Sequence, residues 1–318
     1  MALRTVLVVS VLGKIIRVLR KILRMDPLES LSLFFSVMLI IVVLLFMGSM
    51  VLYSLPVFEK FGIKFIVGTE WNPRKDIFGA LPFVWGTFIT STIAIVFAIV
   101  ISYGAAYFIV EIAPPKLREF LSSVIELIVA IPSVIIGLWG IFYVVPLVRD
   151  FLKPLSSPLS FIPFLSGETS GYSLMAAIIV LTLMITPIST SFIKNALESV
   201  PMELKEAAYA LGATRYEVFK IVSKPLTRRA ALAGIILAYG RAVGETMAVV
   251  MVVGNTPNIS LSLFNPGYTL AAVIANEFLE ATSVLHISAL IALGVILFVW
   301  SLVVNTLAIL IMKRVRIG

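Results

Sequence analysis

The sequence predicts an all-α polytopic membrane protein with six transmembrane helices, and three observations predict it. Hydrophobic residues make up 60% of the 318-residue chain and mean hydropathy is +1.09, more apolar surface than a soluble domain of this size can hide. The apolar residues form unbroken runs of roughly 20 or more, long enough as helices to cross a core of about 30 Å. These runs do not alternate with polar residues as the strands of a membrane barrel would. Charged residues are only 13% of the chain, and the basic ones flank the apolar runs.

The elements follow in order. Residues 1–28 form a basic segment in which Lys14, Arg17, Lys21 and Arg24 recur at helical spacing. It reads either as an amphipathic helix on the membrane surface or as a charged topology anchor. It is not expected to be a signal peptide, since its apolar run is short and no small-residue cleavage site follows. Residues 29–80 hold the first span, about 30–55, and an outer loop with a turn at Asn72-Pro73. Residues 81–318 form the main body. Its spans run at about 82–110, 120–147, 172–193, 228–254 and 284–312. A segment at 266–281 is helical in pattern but too short and polar to cross, so it is expected as a re-entrant or outer-surface helix.

Lys and Arg set the orientation. Six of them precede the first span, and seven lie between spans four and five, from Lys194 to Arg229. The positive-inside rule puts both termini and that long loop in the cytoplasm of a multi-pass cell-membrane protein. The net charge of +8 is thereby a matter of topology and not of nucleic-acid binding. There is no cysteine, so disulfides and thiolate metal sites are excluded. The one histidine, His286, makes no metal site alone and is expected at the membrane interface where span six begins. No Walker A pattern or intramembrane catalytic set occurs, which argues against an enzyme and against ATP binding by this chain.

The loop at about 199–225, SVPMELKEAAYALGATRYEVFKIVSKP, differs from the others. Pro201 and Glu203 suit a helix start. Gly212 breaks that helix, Thr214 with Glu217 forms a capping-box pattern for a second, and Pro225 is expected to end it. Two short helices about a glycine make a compact knob, either a plain connector or a surface that docks in a groove on another protein.

Span five carries two charges, Arg241 and Glu245, each costly in hydrocarbon by roughly 2.5–3.5 kcal/mol. At 1.5 Å per residue Arg241 lies about 20 Å into the span. Spacing of i, i+4 on one continuous helix puts the two on one face, where they can pair. Glu126 in span three is a further partner candidate. One reading is a structural ion pair, which adds little net stability over apolar packing. The other is a polar lining on a solute path, where a guanidinium fork matches an oxyanion. Thr186 and Ser189, beside Pro187 in span four, either line that path or bond to backbone carbonyls.

Glu206-Ala207-Ala208, Gly212 and Pro225 resemble the EAA loop of permease subunits in ABC importers, E-A-A-x3-G-x9-I-x-L-P, with Val222 in place of isoleucine and Lys224 in place of leucine. RAVGETMAVVMVVGN (241–255), IELIVAIPSVIIGLWG (125–140) and WNPRKDIFGALPFVWGT (71–87) are similar to segments of the phosphate permeases within that family, the C-type more than the A-type. The resemblance covers most of residues 70–255.

It implies a type I importer permease core whose coupling helices, with Glu206, Ala207, Ala208 and Gly212, sit in a cleft of a separate ATPase subunit. It implies Arg241 and Glu245 on the path of inorganic phosphate. The implied partners are a sister permease, two ATPase subunits that bind the ATP, an extracytoplasmic phosphate-binding protein and the lipid bilayer. No cofactor is implied in this chain. The alternatives are a permease for molybdate, tungstate or sulfate, or a secondary transporter that needs no ATP.

Overall fold

The computed structural model describes residues 26–156, 158, 161–167 and 170–314. The basic stretch around Lys14 to Arg24 lies outside them. The chain divides into two units, Met1–Leu52 and Tyr53–Gly318.

Helix α1, Pro27–Phe61, has Glu29 in its first turn, where a carboxylate meets the positive end of the dipole. Its part within the first unit is apolar on every side, with Leu28, Phe34, Leu39 and Leu44 all more than half exposed. A helix without a polar face is built for hydrocarbon. The hydroxyls of Ser36 and Ser49 donate to Ser32 O and Phe46 O.

In the second unit the end of α1 contains Pro56, and the next N–H, of Val57, donates to Ser288 Oγ at 3.1 Å. A short helix α2, Lys64–Val67, and a 3₁₀ turn at Pro73–Lys75 follow. Asn72 accepts from Lys75 N–H and caps that turn. The turn brings Trp71 and Phe78 into one apolar cluster with Phe65, Phe83, Tyr268 and Leu290. His286, near the start of span six, is buried, stacked on Phe78 at 5.4 Å, with Nε2 3.1 Å from Glu277 Oε2. The Trp71 indole N–H donates to the same oxygen at 2.9 Å.

Helix α3, Leu81–Tyr107, continues through a π-helical turn at Phe108–Ile112. Gly86, Thr90, Ala94, Ala98, Ser102 and Ala106 recur every four residues and are all buried. Such a stripe lets a neighbouring backbone approach closely.

Helix α4, Pro115–Ala130, ends at Ile131, whose backbone is extended. Helix α5, Ser133–Trp139, then continues through two π-helical turns to Leu152. The single span expected over 120–147 is therefore two helices, and the segment suited to cross is Ser133–Leu152. Pro132 favours the division, since its ring disfavours the helical region for Ile131, which is extended.

Helix α6, Leu174–Glu198, is capped by Ser173 Oγ and packs along α3. Helices α7, Met202–Ala210, and α8, Arg215–Val218, form the knob. The capping box of Thr214 and Glu217 is present. Pro225 does not terminate α8 as expected. The chain runs through a π turn at Phe219–Ser223 into helix α9, Lys224–Gly244, with Pro225 in its first turn.

The expected continuous span over 228–254 is interrupted. Glu245 is extended, and helix α10, Met247–Val250, begins anew after Thr246. The segment over 266–281 is a short helix, α11, Leu270–Glu277, capped by Thr269, with Leu270 N–H donating to Thr87 Oγ1. Helix α12, Val284–Arg314, packs against α9 and α11.

Among the described residues five helices are long and apolar enough to cross a membrane: Pro27–Phe61, Leu81–Ile112, Ser133–Leu152, Leu174–Glu198 and Val284–Leu310. The sixth expected span, α9, has 21 residues but carries Lys224, Arg228, Arg229 and Arg241.

Candidate functional site

Two features of the second unit are candidates for function, the knob at one end of the bundle and the break between α9 and α10.

On the knob, Glu206 and Ala207 are exposed and Ala208 is half-buried. Leu211, at the tip, is 90% exposed, which leaves an apolar side chain with nothing to cover it. Gly212 has φ +84, and a Cβ there would meet no atom within 4 Å. Its left-handed backbone, and not crowding, is what calls for glycine. Thr214 N–H donates to Glu217 Oε2 at 2.8 Å, and the Thr214 hydroxyl donates to the same oxygen at 2.7 Å. These bonds, the backbone one first, hold the Glu217 carboxyl below the usual carboxylate range.

At the break, Arg241 and Glu245 do not share a helix face. Helix α9 ends at Gly244, and the Glu245 carboxylate accepts from Ala248 N–H at 3.4 Å, at the start of α10. Glu245 is buried while Arg241 is exposed. Among the described residues Arg241 makes no ion pair. It lies on the outer face of α9 with Leu237 and Gly244. The carboxylate thus fixes the break and the guanidinium remains available. Helix α10 packs against α5 at Gly137, where a Cβ would stand 2.6 Å from Met251 Sδ and 2.9 Å from Ala248 Cα.

Glu126 is exposed on α4. Thr186 donates to Thr182 O at 2.6 Å and, with Ile128, Ile135, Trp139 and Pro187, lines an apolar cleft of about 470 Å³. Ser189 is fully buried. Its hydroxyl is 2.6 Å from Ser102 Oγ, which places it in the seam between α3 and α6. Ser189 Oγ also reaches Ile185 O one turn back, and Ser102 Oγ reaches Thr186 O across the seam.

The sequence reading passed over Glu111. Lys205 Nζ donates to its Oε1 at 2.8 Å, with the two side chains only 10% and 7% exposed. A lone carboxylate at the end of a long apolar run was the available signal.

Residues 112–317 match the family model described as binding-protein-dependent transport system inner membrane component. The chain belongs to that family. Among its relatives is a phosphate transport system permease protein PstC of Xylella fastidiosa, 42% identical over 80% of this chain and 79% of the relative. A probable phosphate transport system permease protein PstC of Methanocaldococcus jannaschii is 38% identical over 94% of this chain and 97% of the relative. The fold resembles a chain of the MetNI methionine ABC transporter in inward-facing conformations, with TM-score 0.56 and 19% identity over 74% of this chain and 94% of that one. It also resembles a chain of a bacterial ABC transporter for import of the polysaccharide alginate, with TM-score 0.59 and 15% identity over 94% and 99%. The permease fold of ABC importers and a multi-pass membrane location follow for this chain.

Proposed function

We propose that this permease is the C-type transmembrane subunit of an ATP-driven importer of inorganic phosphate. The observation that carries the reading is the relationship to proteins named phosphate transport permeases, which extends over as much as 94% of the chain.

In this reading both termini and the knob face the cytoplasm, in keeping with the Lys and Arg count. The knob, with Glu206, Ala207, Ala208 and Gly212, sits in a cleft of an ATPase subunit, and Leu211 supplies apolar contact. ATP binds to two such subunits and not to this chain. A sister permease covers the exposed face of α9, since a guanidinium open to hydrocarbon would be costly. Arg241 then faces the passage between the two permeases. Its planar fork receives a tetrahedral oxyanion delivered by an extracytoplasmic binding protein. Glu245 holds the break that leaves Arg241 at the last turn of α9. Thr186 contributes from the cleft beside Pro187, and Glu126 contributes exposed charge on α4. ATP-driven closure of the ATPases alternates access between the two sides.

The experiment is labelled-anion uptake into vesicles holding the assembled complex, with phosphate compared with molybdate and sulfate, with and without ATP. ATP-dependent uptake of phosphate alone is expected. Uptake of another oxyanion overturns the substrate, and uptake without ATP overturns the coupling.

A further inference from the structure

Helix α7 has one buried residue, and it is a lysine, Lys205. Every other position on that helix is exposed or half-exposed. No apolar side chain on the first half of the knob is fully buried, whereas a surface helix is usually held to its protein by an apolar face. Its inward contact is the ion pair of Lys205 Nζ with Glu111 Oε1 at 2.8 Å.

Glu111 sits in the π-helical turn that ends α3. The Ser223 hydroxyl, from the π turn behind α8, is 3.5 Å from the same oxygen. The second half of the knob is held by apolar contact, with the Phe219 ring 4.5 Å from that of Tyr107. From the other side Arg118 on α4 donates through Nε to Ile109 O at 3.1 Å and through Nη2 to Val110 O at 2.6 Å. Both halves of the knob and the start of α4 therefore converge on the last turn of α3.

We propose that the Lys205–Glu111 pair is the positioning link through which movement of the knob is delivered to α3. Helix α3 is continuous from Glu111 back to Ser102, nine residues or about 13 Å away. There Ser102 Oγ donates to Thr186 O at 3.1 Å and meets Ser189 Oγ, on either side of Pro187 in α6. A push on α7 enters α3 at Glu111, in the turn where the second half of the knob also packs, and leaves it at a helix whose proline already removes a backbone bond. The pair is shielded from water, so salt does not screen it as it would a surface pair. An apolar contact of equal size would hold as well. A charge pair instead fixes two atoms at one distance and one direction, as a link that transmits displacement requires.

The inference rests on the proposed coupling to an ATPase. Its test uses the full complex in vesicles, with ATP hydrolysed per phosphate imported as the readout. The wild-type complex reports on the parent reading, and the ratio of variant to wild type reports on the link. Glu111→Gln and Lys205→Gln are each expected to raise ATP spent per phosphate about tenfold, within the range typical of coupling between two sites. Co-purification of the ATPase shows that the variant complexes are assembled. Exchanging the pair, Glu111→Lys with Lys205→Glu, is expected to bring the ratio back toward wild type. Single variants that keep the wild-type ratio overturn the proposal, as does an assembled exchange variant no better coupled than the singles. If the glutamine variants do not assemble, Glu111→Asp keeps the charge and shortens the arm by one methylene. A raised ratio in that variant supports the link, and an unchanged one overturns it.

Discussion

Glu245 Oε1 accepts a hydrogen bond from the N–H of Ala248 at 3.4 Å, so the carboxylate that sequence spacing pairs with Arg241 instead starts a new helix. One buried acid separates α9 from α10 and leaves the exposed guanidinium at the last turn of α9. The division of labour between these two residues leads to the first prediction.

Arg241→Gln is expected to leave the complex assembled, since among the described residues Arg241 has no ion pair to lose. Uptake is expected to fall by about 10- to 150-fold, the equivalent of losing hydrogen bonds to a charged group at about 1.5–3 kcal/mol. Arg241→Lys keeps the charge without the planar fork and is expected to fall between. Anion uptake beside co-purification of partners checks both. Loss of assembly in the glutamine variant would instead favour a structural role.

Gly137→Ala tests the seat of α10. The added methyl would stand 2.6 Å from Met251 Sδ and 2.9 Å from Ala248 Cα. The first neighbour is a flexible side-chain atom and can move; the second is backbone and cannot move alone. A cost of about 1–3 kcal/mol is expected for such overpacking. Adding Met251→Ala should recover only part of it. Thermal unfolding of the purified complex measures both variants.

Gly212 separates conformation from crowding. Its φ of +84 with open space around the built Cβ means that Gly212→Ala pays only for the left-handed backbone, about 1–2 kcal/mol. Gly212→Asn should be milder, because asparagine tolerates that region. Gly212→Trp projects a large side chain from the knob, where the proposed partner docks. ATP-driven uptake should therefore follow the order Gly, Asn, Ala, Trp. Equal uptake in all four would count against a docking role.

The capping box at Thr214 and Glu217 gives a pH dependence with a definite sign. The Glu217 carboxyl is held below its ordinary value by the Thr214 N–H and hydroxyl. A depressed folded value contributes stability at pH above the unfolded value, and that contribution is lost as pH falls through the folded one. Backbone-amide protection over Thr214–Val218 should hold at neutral pH and decline only on acidification past the usual carboxylate range. Thr214→Ala should shift that decline to higher pH, which amide exchange followed against pH would reveal.

Much of the bundle is legible in the chain. The stripe Gly86, Thr90, Ala94, Ala98, Ser102, Ala106 stands every four residues in the sequence, and in the fold it is the buried face of α3. The capping box and the glycine of the knob are equally local, because each depends on residues three or four apart. The division of α4 from α5 was also written locally, in Ile131-Pro132, since proline restricts the residue before it. Reading 120–147 as one span gave hydropathy more weight than that restriction.

Composition and local spacing by themselves determined that this is a membrane bundle, where most of its apolar helices run, and that one loop forms a two-helix knob about Gly212. Those features are set by solvent and by neighbours within one helical turn. The tertiary structure alone decided that Glu245 leaves the helix of Arg241, where it is buried and accepts from the N–H of Ala248. It alone decided that Lys205 meets Glu111, 94 residues away. A buried charge takes whatever partner the packing of distant helices brings within reach, and no periodicity in the chain records that distance.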